Sequence, residues 1–144
     1  MSVGLLDVNV LLALFDPRHV HHEPAQRWFA AEGRKSWATC PITENGFIRI
    51  ASQPSYPSSP GSATVVRKLL TEFCRNSHHT FWPDSATLRD DKLFDSGALI
   101  GSHHITDVYL LGLAVHHHGR LITFDRRIPA AAVRGGDNAM CVLD

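Results

Sequence analysis

No apolar run in this chain approaches the roughly 18 residues that a membrane-spanning helix needs, so no membrane segment is expected. Its three cysteines, Cys40, Cys74 and Cys141, are odd in number, far apart and contain no C-x-x-C pair. That argues against a disulfide framework, a thiolate zinc site or redox chemistry, and leaves buried free thiols. The opening MSVGLLDVNV lacks the basic segment and long apolar stretch of a secretory signal, so a cytoplasmic protein is expected. Neither sign of charge is in excess. Fourteen basic and fourteen acidic side chains cancel, and no global cationic field advertises nucleic-acid binding. Lysine is scarce, at three against eleven arginines. Arg126 and Arg127 follow Asp125 directly in FDRRIP, a place where a local basic rim could meet phosphate oxygens through guanidinium forks.

What is present is an alternation of short apolar runs with amphipathic ones over 144 residues, the length of one domain. VGLLD reads as a strand and NVLLALF as the helix after it, stopped by Asp16 and Pro17. HHEPAQRWFAAEG predicts a helix ending at Gly33, KSWATCP a strand, and ITENGFIRIAS a helix. QPSYPSSPGS, residues 53 to 62, is a loop too central to divide the chain. Ser62 is placed to cap the helix ATVVRKLLTEFCRN, and HTFWP reads as a strand. The segment 84 to 101 is weakly helical and ambiguous. ITDVYLLGLAVHHHG predicts a helix with Thr106 as its cap and Gly119 as its stop, RLITFD a strand, and AMCVLD a last strand. Such alternation argues one α/β domain over 1 to 144, a mostly parallel sheet covered by helices on both faces.

Four carboxylates stand where apolar or capping residues are expected. Asp107 shares a helix face with Leu110, Leu111 and Ala114, and Glu44 shares one with Phe47, Ile48 and Ala51. Both lie in the first turn of their helices, where the dipole favours negative charge. Asp7 and Asp125 close the strand runs VGLLD and RLITFD, which puts them at the carboxyl edge of a parallel sheet, where open α/β sheets bind ligands. The helices following such strands begin at that edge too, so all four acids converge. Taken singly, each acid reads more simply as a turn or cap. Together they need raised pKa values or a bound hard cation, Mg²⁺ or Mn²⁺. Asn9, Thr43, Thr106 and Thr123 are placed to orient those carboxylates, with capping or core roles as the plain alternative.

LLDVNVLLALF, PITENGFIRI and ITDVYLLGLAVHHHGRLITFDRRI, in that order and spacing, resemble the PIN-domain family, and more narrowly its VapC-type toxins of bacterial toxin–antitoxin pairs. The resemblance covers nearly the whole chain. It implies a PIN-like three-layer fold and a metal-dependent endoribonuclease, with the family's acids falling on Asp7, Glu44, Asp107 and Asp125 as the residues of catalysis and metal binding. It also implies a VapB-type antitoxin partner, an RNA substrate (tRNA, rRNA or mRNA) and a homodimer. Arg126 and Arg127 are candidates for RNA contact, with surface ion pairing an equal alternative.

The ten histidines do not change this reading. His116, His117 and His118 are consecutive at a helix end and point about 100° apart, so they cannot share one ion. No HExxH pattern supports zinc. His103 and His104 precede the helix of Asp107 and are within reach of it. A phosphatase of the strand-end aspartate type would want Asp rather than Asn at position 9, and a receiver domain a late lysine, whereas none follows Lys92. The alternative from another class is a non-catalytic PIN-like module that binds RNA or a protein partner.

Overall fold

The computed structural model describes residues 2–75, 78–99 and 101–144. Five strands, β1 Gly4–Leu6, β2 Trp37–Thr39, β3 His79–Phe81, β4 Arg120–Thr123 and β5 Met140–Val142, form one sheet in the order β3-β2-β1-β4-β5. Every pairing is parallel, with Gly4 against both Trp37 and Arg120, and Leu5 against Ala38 and Leu121. The order reverses between β1 and β4, so the crevice at their carboxyl ends is the topological switch point.

Both faces of the sheet are covered. Leu6, Trp37 and Ile122 pack under α1 Val8–Phe15, α2 His22–Ala31, α3 Pro41–Ala51 and α4 Ala63–Cys74. The alternate residues Leu5, Ala38 and Leu121 pack under α5 Ile105–His116 and, next to it, the short α6 Gly136–Ala139. This is the period-2 alternation of a strand with two buried sides, and it explains why the strands read as unbroken apolar runs. The expected α/β architecture, a parallel sheet between helical layers, is what the chain adopts.

Element starts follow their predicted chemistry in several places. Ser62 caps α4, its hydroxyl accepting from the Val65 N–H. Pro41 occupies the first turn of α3, where its missing N–H costs nothing. Residues 53 to 62 are pinned rather than free, because the Tyr56 hydroxyl donates to Asp16 at 2.8 Å.

Three expectations are corrected. Thr106 does not cap α5: it is exposed within the first turn, and His104 stands at the cap position with no side-chain hydrogen bond. Gly119 is not the left-handed residue that ends α5. His118 takes that conformation, at φ 57°, while the His118 and Gly119 N–H groups donate to Val115 and Ala114 carbonyls in a Schellman arrangement. Gly119 is required for closeness instead, since a Cβ there would lie 2.5 Å from the Val3 carbonyl oxygen. The described residues of the segment 84 to 101 form no α-helix. They consist of turns, a 3₁₀ turn at Ser96–Ala98 and one bridge from Phe94 to Val133. Phe94 anchors it, with its buried ring lying over Gly112 of α5.

That contact yields a test of the packing. A Cβ at Gly112 would meet the Phe94 ring at 2.2 Å, and the ring is 1% exposed with nowhere to retreat. Gly112→Ala gains up to about 1 kcal/mol of helix propensity. Overpacking of this kind costs about 1–3 kcal/mol, and a direct clash with a caged ring falls at the upper end. Urea unfolding is therefore expected to show a net loss of roughly 1–2 kcal/mol. A more stable variant would mean that the 84–101 segment is not packed as described.

Candidate metal centre

Asp7 follows β1 directly and caps α1, so its position is fixed from two sides. Its N–H donates to the Ile122 carbonyl of β4 at 2.9 Å, and its Oδ1 accepts from the Val8 N–H at 2.8 Å. Only 6% of the residue is exposed. The other carboxylate oxygen accepts from the buried Thr123 hydroxyl at 2.8 Å. That hydroxyl oxygen in turn accepts from the Asp125 N–H at 3.1 Å and lies 3.4 Å from the Asn9 amide nitrogen. Asn9 also accepts from the Phe124 N–H at 3.3 Å, closing a clamp between α1 and the end of β4. Thr123 and Asn9 thus both tie α1 and the end of β4 to the acid edge.

Asp107, in the first turn of α5, and Asp125, two residues past β4, come together with His104 so that one ligand atom from each lies within 4.8 Å of the others. His104 Nδ1 is 3.8 Å from an Asp107 carboxylate oxygen, too far for a hydrogen bond, and it is buried with no hydrogen-bond partner. The charges feel one another. Burial pushes the Asp7 carboxyl up to about 6, and the negative charges of Asp107 and Asp125 add to that, against the Thr123 and Val8 hydrogen bonds. Asp107 is raised as well, by burial and by Asp125, with His104 acting in the opposite direction.

Glu44 is placed elsewhere. Its carboxylate accepts from the Thr39 hydroxyl at 2.6 Å, and Thr39 lies 2.8 Å from His79 Nε2. Glu44, Cys74 and His79 make a second group of potential ligands within 4.8 Å of one another. The described contacts therefore join three of the four predicted acids and put the fourth over β2 and β3. Thr43 does not orient a carboxylate: its hydroxyl accepts from the Cys40 N–H at 3.0 Å and serves the start of α3. The exposed Thr106 makes no such contact among the described residues. Arg126 and Arg127 are both exposed at the rim, Arg126 ion-paired with Asp144 and Arg127 with Asp125 at 3.4 Å.

Two contributors were given no role in the site from the sequence. His104 belongs with Asp107 by its i,i+3 spacing, a signal that was present but had no motif behind it. His21, more than a hundred residues from Asp125, lines the same open groove, and no local pattern could pair them. The donor set of the first group, two carboxylates with a partly buried imidazole whose Nδ1 has no hydrogen-bond partner, suits a hard divalent cation such as Mg²⁺ or Mn²⁺.

A PIN domain model matches residues 4–134. The chain is 47% identical over 132 residues to Ribonuclease VapC44 of Mycobacterium tuberculosis, covering 92% of each, and 41% identical to Ribonuclease VapC39 of the same organism, covering 92% of this chain and 95% of that one. Among solved structures it resembles M. tuberculosis VapC20, a sarcin–ricin-loop-cleaving toxin, with a TM-score of 0.58 at 12% identity over 91% of this chain and 96% of that one. It also resembles VapBC2 of Rickettsia felis, bound to a DNA fragment from its promoter, with a TM-score of 0.56 at 14% identity and 99% coverage of both. The chain belongs to the PIN-domain family and, within it, to the VapC ribonucleases.

The crowding of charge has a thermodynamic signature. A carboxyl whose folded pKa is about 6 against an ordinary 3.8 binds its proton more tightly in the folded state. Its contribution is fully present below pH 3.8 and is lost as pH rises through 6, for a cost at neutral pH on the order of 3 kcal/mol. In EDTA, Asp7→Asn is therefore expected to be more stable than the wild type at pH 7.5 and to lose that advantage as pH falls toward about 4. Thermal melts across that range measure it; an equal or lower Tm for the variant at pH 7.5 would contradict the burial of an uncompensated charge.

Proposed function

We propose that this chain is a metal-dependent endoribonuclease acting as the toxin of a VapBC-type pair, with Asp7, Asp107 and Asp125 as the carboxylates that hold Mg²⁺ or Mn²⁺. The observation that carries it is the convergence of those three acids on the β1/β4 switch point, with Asp7 buried and both Asp7 and Asp107 raised in pKa. Such a group is costly alone and becomes favourable around a cation. A divalent ion there supplies a water of lowered pKa and neutralises charge on the phosphodiester.

The protein's part is to hold and shape. Thr123 fixes one Asp7 oxygen, and Asn9 and the Asp125 N–H fix Thr123. Glu44, at the start of α3, enters the proposal by its place in the family pattern alone. In the structure its carboxylate is engaged by Thr39. Arg126 and Arg127 lie beside Asp125, positioned to exchange their carboxylate partners for RNA phosphates. The names of the relatives support ribonuclease activity, and the VapBC2 likeness supports a VapB-type antitoxin as partner; a toxin homodimer enters the proposal from the family resemblance alone.

The test is cleavage of defined tRNA and ribosomal RNA fragments by antitoxin-free protein in EDTA, Mg²⁺ or Mn²⁺. Cutting is expected only with metal, and Asp7→Asn is expected to lower it at least 100-fold, the scale of losing a charge-stabilising group at a reacting phosphate. Asp107→Asn and Asp125→Asn should follow closely, and Glu44→Gln should cost least. Glu44→Gln as damaging as Asp7→Asn would show that Glu44 leaves Thr39 in the working enzyme. Metal-independent cutting, or none from folded protein, would overturn the reading.

A further inference from the structure

Beside the acids lies an open groove of about 490 Å³, lined by Asn9, His21, Phe124, Asp125, Arg126 and Arg127. Its apolar wall is a stacked pair. The rings of His21 and Phe124 lie 4.4 Å apart between centroids and within 12° of parallel. Both are held from behind. The Phe124 N–H donates to Asn9, and the His21 N–H donates to His19 Nδ1 at 3.0 Å, which sets the His19 and His21 rings 5.7 Å apart. Phe124 and His21 are only partly buried, although Phe124 sits between the buried Thr123 and the candidate ligand Asp125. Flat rings left in contact with a groove offer π-faces of the kind on which nucleobases stack without regard to base identity. On the same groove Arg126 and Arg127 are the cations, each held by a carboxylate that a phosphate can replace.

From this juxtaposition we propose a nucleobase subsite: one nucleotide of a single-stranded RNA segment stacks its base on the His21–Phe124 pair, while Arg126 and Arg127 take the backbone phosphate. The proposal rests on the ribonuclease reading above. It makes the substrate near the cut unpaired, because a base inside a duplex cannot present its face. His21 thereby acquires a role that its position among ten histidines does not suggest.

The experiment measures binding, so that it stands or falls apart from cleavage. Fluorescence anisotropy in EDTA, with Asp7→Asn protein to prevent cutting, would compare labelled oligoadenylate of about ten nucleotides with an abasic ribose-phosphate oligomer of equal length. The base-bearing probe is expected to bind roughly 5- to 150-fold more tightly, the range for one base stacked on an aromatic ring. Adding Phe124→Leu, which keeps an apolar side chain at a partly buried position, should collapse that difference, while Phe124→Tyr should restore it. His21→Ala should reduce it without touching the core. Arg126→Ala should leave the base preference but flatten the salt dependence of binding by about one charge. An equal preference for bases in Phe124→Leu, His21→Ala and their parent would overturn the subsite. If wild-type protein still cut RNA with metal, the nuclease reading would survive that result; absence of both would remove the two together.

Discussion

A carboxylate buried where two others repel it is the constraint around which this molecule is arranged. Asp7 is buried, raised to about 6, and within electrostatic reach of Asp107 and Asp125. Nothing in apolar packing asks for that. The fold meets the demand by giving Asp7 two hydrogen-bond donors, the Val8 N–H and the Thr123 hydroxyl, while Asp125 next to it lines an open groove. On the proposed reading, the leftover cost of this negative centre is what a bound divalent cation would offset.

The rest of the architecture sets where that centre falls. A parallel sheet brings the ends of β1 and β4 side by side, at the point where the strand order reverses. Because α5 runs back from the carboxyl edge, its first turn delivers Asp107 and the preceding 3₁₀ turn delivers His104. The bulk of the core, Leu5, Leu6, Trp37, Leu121 and Ile122 under two helical layers, keeps those strand ends from shifting relative to one another. Phe94 locked over Gly112 extends the same support to α5. Site geometry is thus inherited from strand order and helix direction, with side-chain hydrogen bonds adjusting it over the last ångström.

Much of this was legible in sequence because it depends on local pattern. Apolar runs ending in Asp7 and near Asp125 marked two strand ends, and an acid on the apolar stripe of α5 marked Asp107. The strand–helix alternation then implied the parallel sheet. What escaped was decided by partners distant in the chain. Glu44 shares its helix stripe with Phe47, yet its carboxylate turns to Thr39 on β2, near His79, a choice that spacing along α3 does not encode. Thr106 and Gly119 had the right chemistry for a cap and a stop, but His104 and His118 stand in those places, and Gly119 is needed for its closeness to Val3. The 84–101 segment carried a faint helical pattern because Leu93 and Phe94 are core residues. Their partners are α5 and Val133 rather than a helix of their own.

The most direct test of the central claim is anomalous diffraction from crystals of the chain grown with Mn²⁺. The account predicts a peak within about 2.0–2.3 Å of oxygens from Asp7, Asp107 and Asp125. A peak confined to Glu44, Cys74 and His79, or none at the acid group at saturating Mn²⁺, would contradict it.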